Sequence, residues 1–341
     1  MKLLKLLLLI VIVGLLLYFS IKDIQFQKVM DEISRVKLIY PVVFLLGIYL
    51  QFFIRAYRWG ILLKPYKNKI PMVTLYNYIV IGFLLNLIPG KIGEPARGIL
   101  LAGEEKISRS YGLASVVLER LIDSLMIVLL FLVSLFFVKD NPSPLLNKLK
   151  ETSFIIFPII LLFFLLFYLL NRERVFIHVE KMIRFISRIL PGKIRERAVL
   201  FGLNFVKGLR LNLSFYNYMK LLLSSIIVWL FLIPFYWFLM QGFEFGADVS
   251  MVETVPYFSI IVVSAAVPTP GMAGSFEWAS RHGLEQLHLA EPNPAFAYTV
   301  LAHLLILTAM VIPGLAAFWI KRINMKAVRD IRDKKIEQNN Q

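Results

Sequence analysis

The sequence predicts an all-α polytopic membrane protein, and three observations predict it. The chain of 341 residues is 58% hydrophobic, with a mean hydropathy of +0.72. Apolar stretches near the length needed to cross about 30 Å of hydrocarbon recur along it. Lys and Arg fall in blocks between those stretches, as expected where basic residues collect on one side of a membrane. The excess charge of +16 suits a membrane protein lying against anionic headgroups and does not call for nucleic acid. There is no cysteine, which excludes disulfides, thiol chemistry and Cys-based metal sites. His178, His282, His288 and His303 stand at no metal-ligand spacing, so neither metal nor cofactor is expected.

The elements follow in order. Lys2 and Lys5 precede a first apolar run, 3–21, which ends in Ser20 to Asp23 without a small-x-small cleavage site. It therefore reads as an uncleaved span rather than a secretory signal. Further full spans are predicted at 38–54, 113–138, 154–170, 219–240 and 295–320, six in all. Two more apolar regions, 70–102 and 251–287, are broken. Pro89, Gly90, Gly93 and Pro95 interrupt the first; Pro268, Pro270, Gly271 and Gly274 interrupt the second. Proline removes a backbone donor and glycine permits unusual backbone angles, so Pro89, Gly90, Gly93, Pro270, Gly271 and Gly274 are the candidate hinges. Broken backbone at membrane depth survives only where protein or a water-filled cavity surrounds it.

Charge assigns the sides. Segment 55–69 holds Arg55, Arg58, Lys64, Lys67 and Lys69 and no acid, and both 171–217 and the tail 321–341 are dominated by Lys and Arg. These read as cytoplasmic. Segment 241–255, with Glu244, Asp248 and Glu253 and no base, reads as external. The expectation is a multi-pass protein of the cytoplasmic membrane with both termini inside. Parity then makes 70–102 a re-entrant hairpin entering from the cytoplasm and 251–287 one entering from outside. Pro-Gly-x-x-Gly followed by Glu occurs in both, ending at Glu94 and at Glu277. Each hairpin with its flanking spans forms a unit, and the two units run in opposite directions. An inverted repeat of this kind is common in transporters, with the substrate held where broken segments meet. In 171–217, Val175, Val179, Met182, Ile186 and Leu190 recur at helical spacing among Lys181, Arg184 and Arg188. That is an amphipathic connector on the membrane surface. Residues 1–320 thus form one transmembrane domain, and 321–341 a basic tail.

Ionisable groups inside apolar stretches are functional candidates by default. At the first break these are Lys91, Glu94 and Arg97, with Asn86 at its edge. Glu119 and Asp123 lie four apart and share a helix face, with Arg120 beside them. Arg97 or Arg120 could pair with Glu94 or Glu119, either as an ion-pair latch or as a headgroup site. Arg55 and Arg58 flank Tyr57 and adjoin Trp59. They read as interfacial anchors, or as a guanidinium fork for a lipid phosphate. In the second hairpin the candidates are Glu277, Arg281 and His282; His303 reads as a packed, hydrogen-bonded residue.

Three motifs carry a family resemblance: Asn86 to Arg97, Ser115 to Asp123 and Pro268 to Glu277, in matching order and spacing. Together they resemble the lysylphosphatidylglycerol synthase transmembrane region, a flippase-like family, over nearly the whole chain. The resemblance implies a module that moves a phospholipid or a lipid-linked headgroup, with membrane lipids of anionic or phosphate headgroup as partners. Bifunctional members continue into a soluble aminoacyl-transferase domain. This chain ends at Gln341 and is expected to lack one, so any lipid-modifying enzyme would be separately encoded. The family commonly has a second glycine where Met272 stands. No recognisable catalytic motif is present, so transport is expected rather than catalysis; a membrane transferase on a lipid-linked substrate or a non-transporting scaffold are the alternatives. The oligomeric state is not legible.

Overall fold

The computed structural model describes residues 2–88, 92–137, 147–148, 151–152, 154–155, 157–159, 161–162, 165, 173–189, 191–210, 213–265, 267 and 269–323. Pro89, Gly90, Lys91 and Pro268, most of the predicted span 154–170 and the tail after Ile323 lie outside the described residues. Among those described, every regular element is helical.

Helix α1 (Lys2–Ile21) turns through 77° into the short α2 (Phe26–Arg35). Helix α3 (Ile39–Leu63) is followed by the arms of the first broken region, α4 (Met72–Leu85) and α5 (Gly93–Glu104). Next comes α6 (Arg109–Ser134), then the connector helices α7 (Glu173–Ile186) and α8 (Gly192–Leu209). Helices α9 (Phe215–Leu230) and α10 (Ile233–Met240) lead to the second broken region, α11 (Met251–Ser264) and α12 (Ser275–Gln286). Helix α13 (Pro292–Ile320) closes the described chain.

Among the described residues, α3, the α9–α10 pair and α13 are both long and apolar enough to cross a membrane. Helix α6 is as long, 26 residues, but carries Glu119, Arg120 and Asp123. The hairpin arms are shorter. At 14 residues, α4 and α11 each reach about 21 Å at 1.5 Å per residue, short of the bilayer core. Their return arms α5 and α12 have 12 residues each. Helix α13 packs against both α4 and α12, so the last span is a wall common to the two broken regions.

The core is aromatic. Phe44, Tyr236, Tyr257, Phe258 and Tyr298 are buried, with edge-on contacts between Phe44 and Tyr236 and between Tyr257 and Tyr298. Their hydroxyls need partners in an apolar interior. Tyr257 Oη meets Ser280 Oγ at 2.7 Å, which meets Thr299 Oγ1 at 2.7 Å, and this chain ties α11, α12 and α13 together.

Two expectations change. Helix α3 does not end at 54 but continues to Leu63, so Arg55 and Arg58 sit inside the helix and are buried. The basic segment keeps only Lys64, Lys67 and Lys69. The reason is local: both guanidiniums find carboxylates on α6, and a neutralised charge no longer drives the chain out to water. The predicted span 219–240 is divided at Phe231–Leu232, because Pro234 in the first turn of α10 has no N–H for the preceding turn. In the connector, α8 packs on α6, whereas α7 shows Met182, Phe185, Ile186 and Ile189 outward beside Lys181, Arg184 and Arg188.

A buried arginine–carboxylate cluster at the first break

Three helices are drawn together beside the first break by small residues. A Cβ on Gly93 would collide with the Gly82 carbonyl, so α5 can approach α4 only with glycine there. A Cβ on Gly98 would lie 2.7 Å from the Gly112 carbonyl, which holds α5 close to α6. Asn86 links the end of α4 to the start of α5: its Oδ1 accepts the Gly93 N–H at 3.0 Å.

The close approach buries a charge network. Arg58 is fully buried and donates from Nη1 to Asp123 Oδ1 at 2.6 Å and from Nη2 to Glu119 Oε1 at 3.2 Å. Arg97 Nη2 donates to Glu119 Oε2 at 2.6 Å. Arg120 donates from Nη2 to Glu119 Oε1 at 3.1 Å and to Asp123 Oδ2 at 2.9 Å. Its Nη1 reaches Glu94 Oε1 at 3.3 Å. Arg55 Nη1 is 3.4 Å from Asp123 Oδ2. Glu119 and Asp123 serve this network together because their four-residue spacing puts both on one face of α6.

Two tryptophans wall the cluster. The Arg97 guanidinium lies over Trp59, 4.5 Å from the ring centroid, and Arg55 lies over Trp229 at 5.0 Å. Trp59 Nε1 donates to Ser115 Oγ at 2.9 Å, and Trp229 Nε1 to Asp123 Oδ1 at 3.2 Å. Planar guanidinium suits this stacking and lysine would not.

Four guanidiniums face three carboxylates, so the network holds an excess positive charge. Arg97 Nη1 is buried and has no hydrogen-bond partner among the described residues, and the same holds for Nε of Arg55, Arg58 and Arg120. Arg97 lines a small open-sided cleft together with Gly82, Asn86, Glu94, Glu119 and Arg120. Arg120 is the least covered cation of the cluster, its side chain 38% exposed, and with Glu94 it forms the open edge. A buried donor without a partner is unfavourable, and an anion entering the cleft would satisfy it.

Of the residues singled out from sequence, Asn86, Glu94, Arg97, Glu119, Arg120, Asp123, Arg55 and Arg58 thus share one site. The arginines of α3 are members of the cluster rather than surface anchors. Arg281 departs from expectation. Its Nη1 donates to the carbonyls of Phe19, Ser20 and Lys22 at 3.3, 2.7 and 2.9 Å, and its Nε to Glu285 at 2.6 Å. It satisfies the orphan carbonyls at the end of α1 and so acts as a cap there. His282 bonds the Trp278 carbonyl one turn back. Glu277 belongs to the second break and bonds His303. Sequence reasoning missed Trp59 and Trp229 as walls of the site. The position of Trp59 directly after Arg58 was the available signal, and it was read as interfacial.

The second break closes differently. Gly271, Met272 and Gly274 take φ values of 57°, 64° and 78°. The left-handed Met272 occupies the position where a glycine was expected, and glycine is the residue that adopts such angles without penalty. The Gly271 N–H donates to the Asn86 carbonyl at 3.3 Å, so the two breaks touch.

A family model described as the Lysylphosphatidylglycerol synthase TM region matches residues 4–314. No curated protein and no solved structure matches the chain.

Proposed function

Because the chain belongs to the Lysylphosphatidylglycerol synthase TM region family, we propose that this membrane protein moves a phospholipid or lipid-linked headgroup across the bilayer, its phosphate received at the Arg97–Arg120 cleft. The observation that carries this reading is the buried, unpartnered Nη1 of Arg97, a residue that lines the open-sided cleft. A phosphate there takes the free Arg97 N–H and replaces Glu94 on Arg120, while its acyl chains stay in lipid. The charged headgroup thereby exchanges water for fixed guanidiniums instead of entering hydrocarbon bare.

Matched arm lengths support an inverted repeat: 14 and 14 residues for α4 and α11, 12 and 12 for α5 and α12. In this reading the first break opens to the cytoplasm and the second to the outside, with both termini inside the cytoplasmic membrane. The protein acts as a transporter, not an enzyme, and a separate lipid-modifying enzyme would supply or consume its cargo.

The test is movement of fluorescent anionic phospholipid between leaflets by pure protein in liposomes. Wild type moves lipid. Arg97→Gln, which cannot form the ion pair with phosphate, lowers the rate at least about tenfold, equivalent to about 1.4 kcal/mol. Arg97→Lys keeps the charge, loses the stacked fork and falls between. No movement by stable wild-type protein, or an unchanged rate in a folded Arg97→Gln variant, overturns the reading in favour of a scaffold or an enzyme.

A further inference from the structure

His303, inside the last span, is bonded on both ring nitrogens. Nε2 lies 2.8 Å from the Gly271 carbonyl and Nδ1 lies 2.6 Å from Glu277 Oε1. A carbonyl oxygen only accepts, so Nε2 carries a hydrogen. The short contact at Nδ1 needs a second proton, between imidazole and carboxylate. Glu277 Oε2 is already occupied as acceptor of the Gly274 N–H at 2.7 Å. The pair is nearly buried, with side-chain exposures of 7% for His303 and 15% for Glu277.

We propose that the Glu277–His303 pair is a proton-binding site that clamps the second break onto the first. With both protons present, His303 holds Gly271 through Nε2, and the Gly271 N–H in turn holds the Asn86 carbonyl at the edge of the arginine cleft. When one proton leaves to solvent, the imidazole keeps a single hydrogen. The carboxylate is the stronger acceptor, so that hydrogen turns to Nδ1. Nε2 is left with a lone pair facing the Gly271 carbonyl, and the two repel. The clamp on Gly271 is lost, and with it the hold on Asn86. The ligand of this site is therefore the proton, and its uptake is linked to closure at the cleft.

Many titratable groups on the elements around the pair are engaged elsewhere, while Lys28 and Glu32 of α2 line a surface pocket with Asp31 and Arg35. On α12, Arg281 is held by the end of α1 and by Glu285, and His282 by the Trp278 carbonyl. Tyr257 of α11 bonds Ser280, and Glu253 of that helix caps its own N-terminus at Ser250. Tyr78 of α4 bonds Glu104. On α3, Arg55 and Arg58 belong to the cluster. On α2, which packs on the last span, Asp31 accepts from Gln27 and Arg35 pairs with Glu244.

The proton switch deepens the transport reading only in making Asn86 the edge of a lipid site; its own test needs no transport. The chain has no cysteine, so Leu87→Cys provides the sole thiol for a spin label. Leu87 is next to Asn86, and its side chain would meet any Cβ placed on Gly271. In liposomes, label mobility is read from about pH 5 to about pH 9. The wild-type background is immobilised at the acid end and several-fold more mobile at the alkaline end. Glu277→Gln removes the competing carboxylate, so neutral His303 keeps its hydrogen on Nε2 and the label stays immobilised throughout. His303→Ala is mobile throughout. Arg97→Gln keeps the wild-type pH response even where it abolishes lipid movement, so failure of the transport reading leaves this result intact. A wild-type label indifferent to pH, or a Glu277→Gln variant that still responds, overturns the proposal.

Discussion

The first and second breaks interrupt arms of the same lengths, yet different chemistry surrounds them. Beside the first, α3, α5 and α6 contribute four arginines and three carboxylates to one buried network. At the second, an imidazole–carboxylate pair meets a turn that holds three positive-φ residues, Gly271, Met272 and Gly274. The comparison teaches that a broken membrane segment does not by itself specify a binding site. The first break leaves buried guanidinium nitrogens without partners among the described residues beside a cleft, whereas at the second His303 and Glu277 find partners within the turn. One end is chemically unfinished and suited to a ligand; the other is finished and suited to hold or release its neighbour.

The largest test of this contrast is Asp123→Ala. Asp123 accepts from Arg55, Arg58, Arg120 and Trp229. Removing one carboxylate from a buried network leaves guanidiniums without compensation, a loss of about 3–5 kcal/mol. The thermal unfolding midpoint in detergent should fall sharply, and Arg58→Met in the same chain should recover part of the loss. An Asp123→Ala protein as stable as wild type would mean that the cluster does not hold the bundle together.

A smaller effect separates the glycines that matching motifs would treat as equivalent. Gly93 is required by space, since its added Cβ strikes the Gly82 backbone. Gly93→Ala should cost about 1–3 kcal/mol by overpacking. Gly274 is required by its φ of 78°. Gly274→Ala should cost about 1–2 kcal/mol, the penalty for a left-handed residue with a side chain. Glycine-to-alanine stabilities measured by the same unfolding assay check both costs, and an alanine as stable as glycine at either site would break the comparison.

The smallest expected change is at Met272. Met272→Gly removes a left-handed penalty of about 1–2 kcal/mol but adds about 0.5–1 kcal/mol of backbone entropy. The net gain in unfolding stability should be under about 1.5 kcal/mol. A clear loss would show that the methionine side chain, packed against the core, outweighs its backbone strain.

The sequence by itself determined that the protein is helical and membrane-embedded, where its apolar arms break, and that Glu119 and Asp123 share a face. Those features are local: hydropathy over a span, proline without a donor, and a four-residue period on one helix. Only the tertiary structure decided what the charges do. Arg58 looked like part of a basic loop because its partner Asp123 lies 65 residues away. Arg281 looked like a ligand residue because the carbonyls it caps belong to the first helix. His303 looked like packing because Glu277 and the Gly271 carbonyl reach it from the broken tip. A hydropathy pattern registers the penalty for placing a charge in hydrocarbon, but the partner that offsets this penalty arrives from elsewhere in the chain, and only folding brings it there.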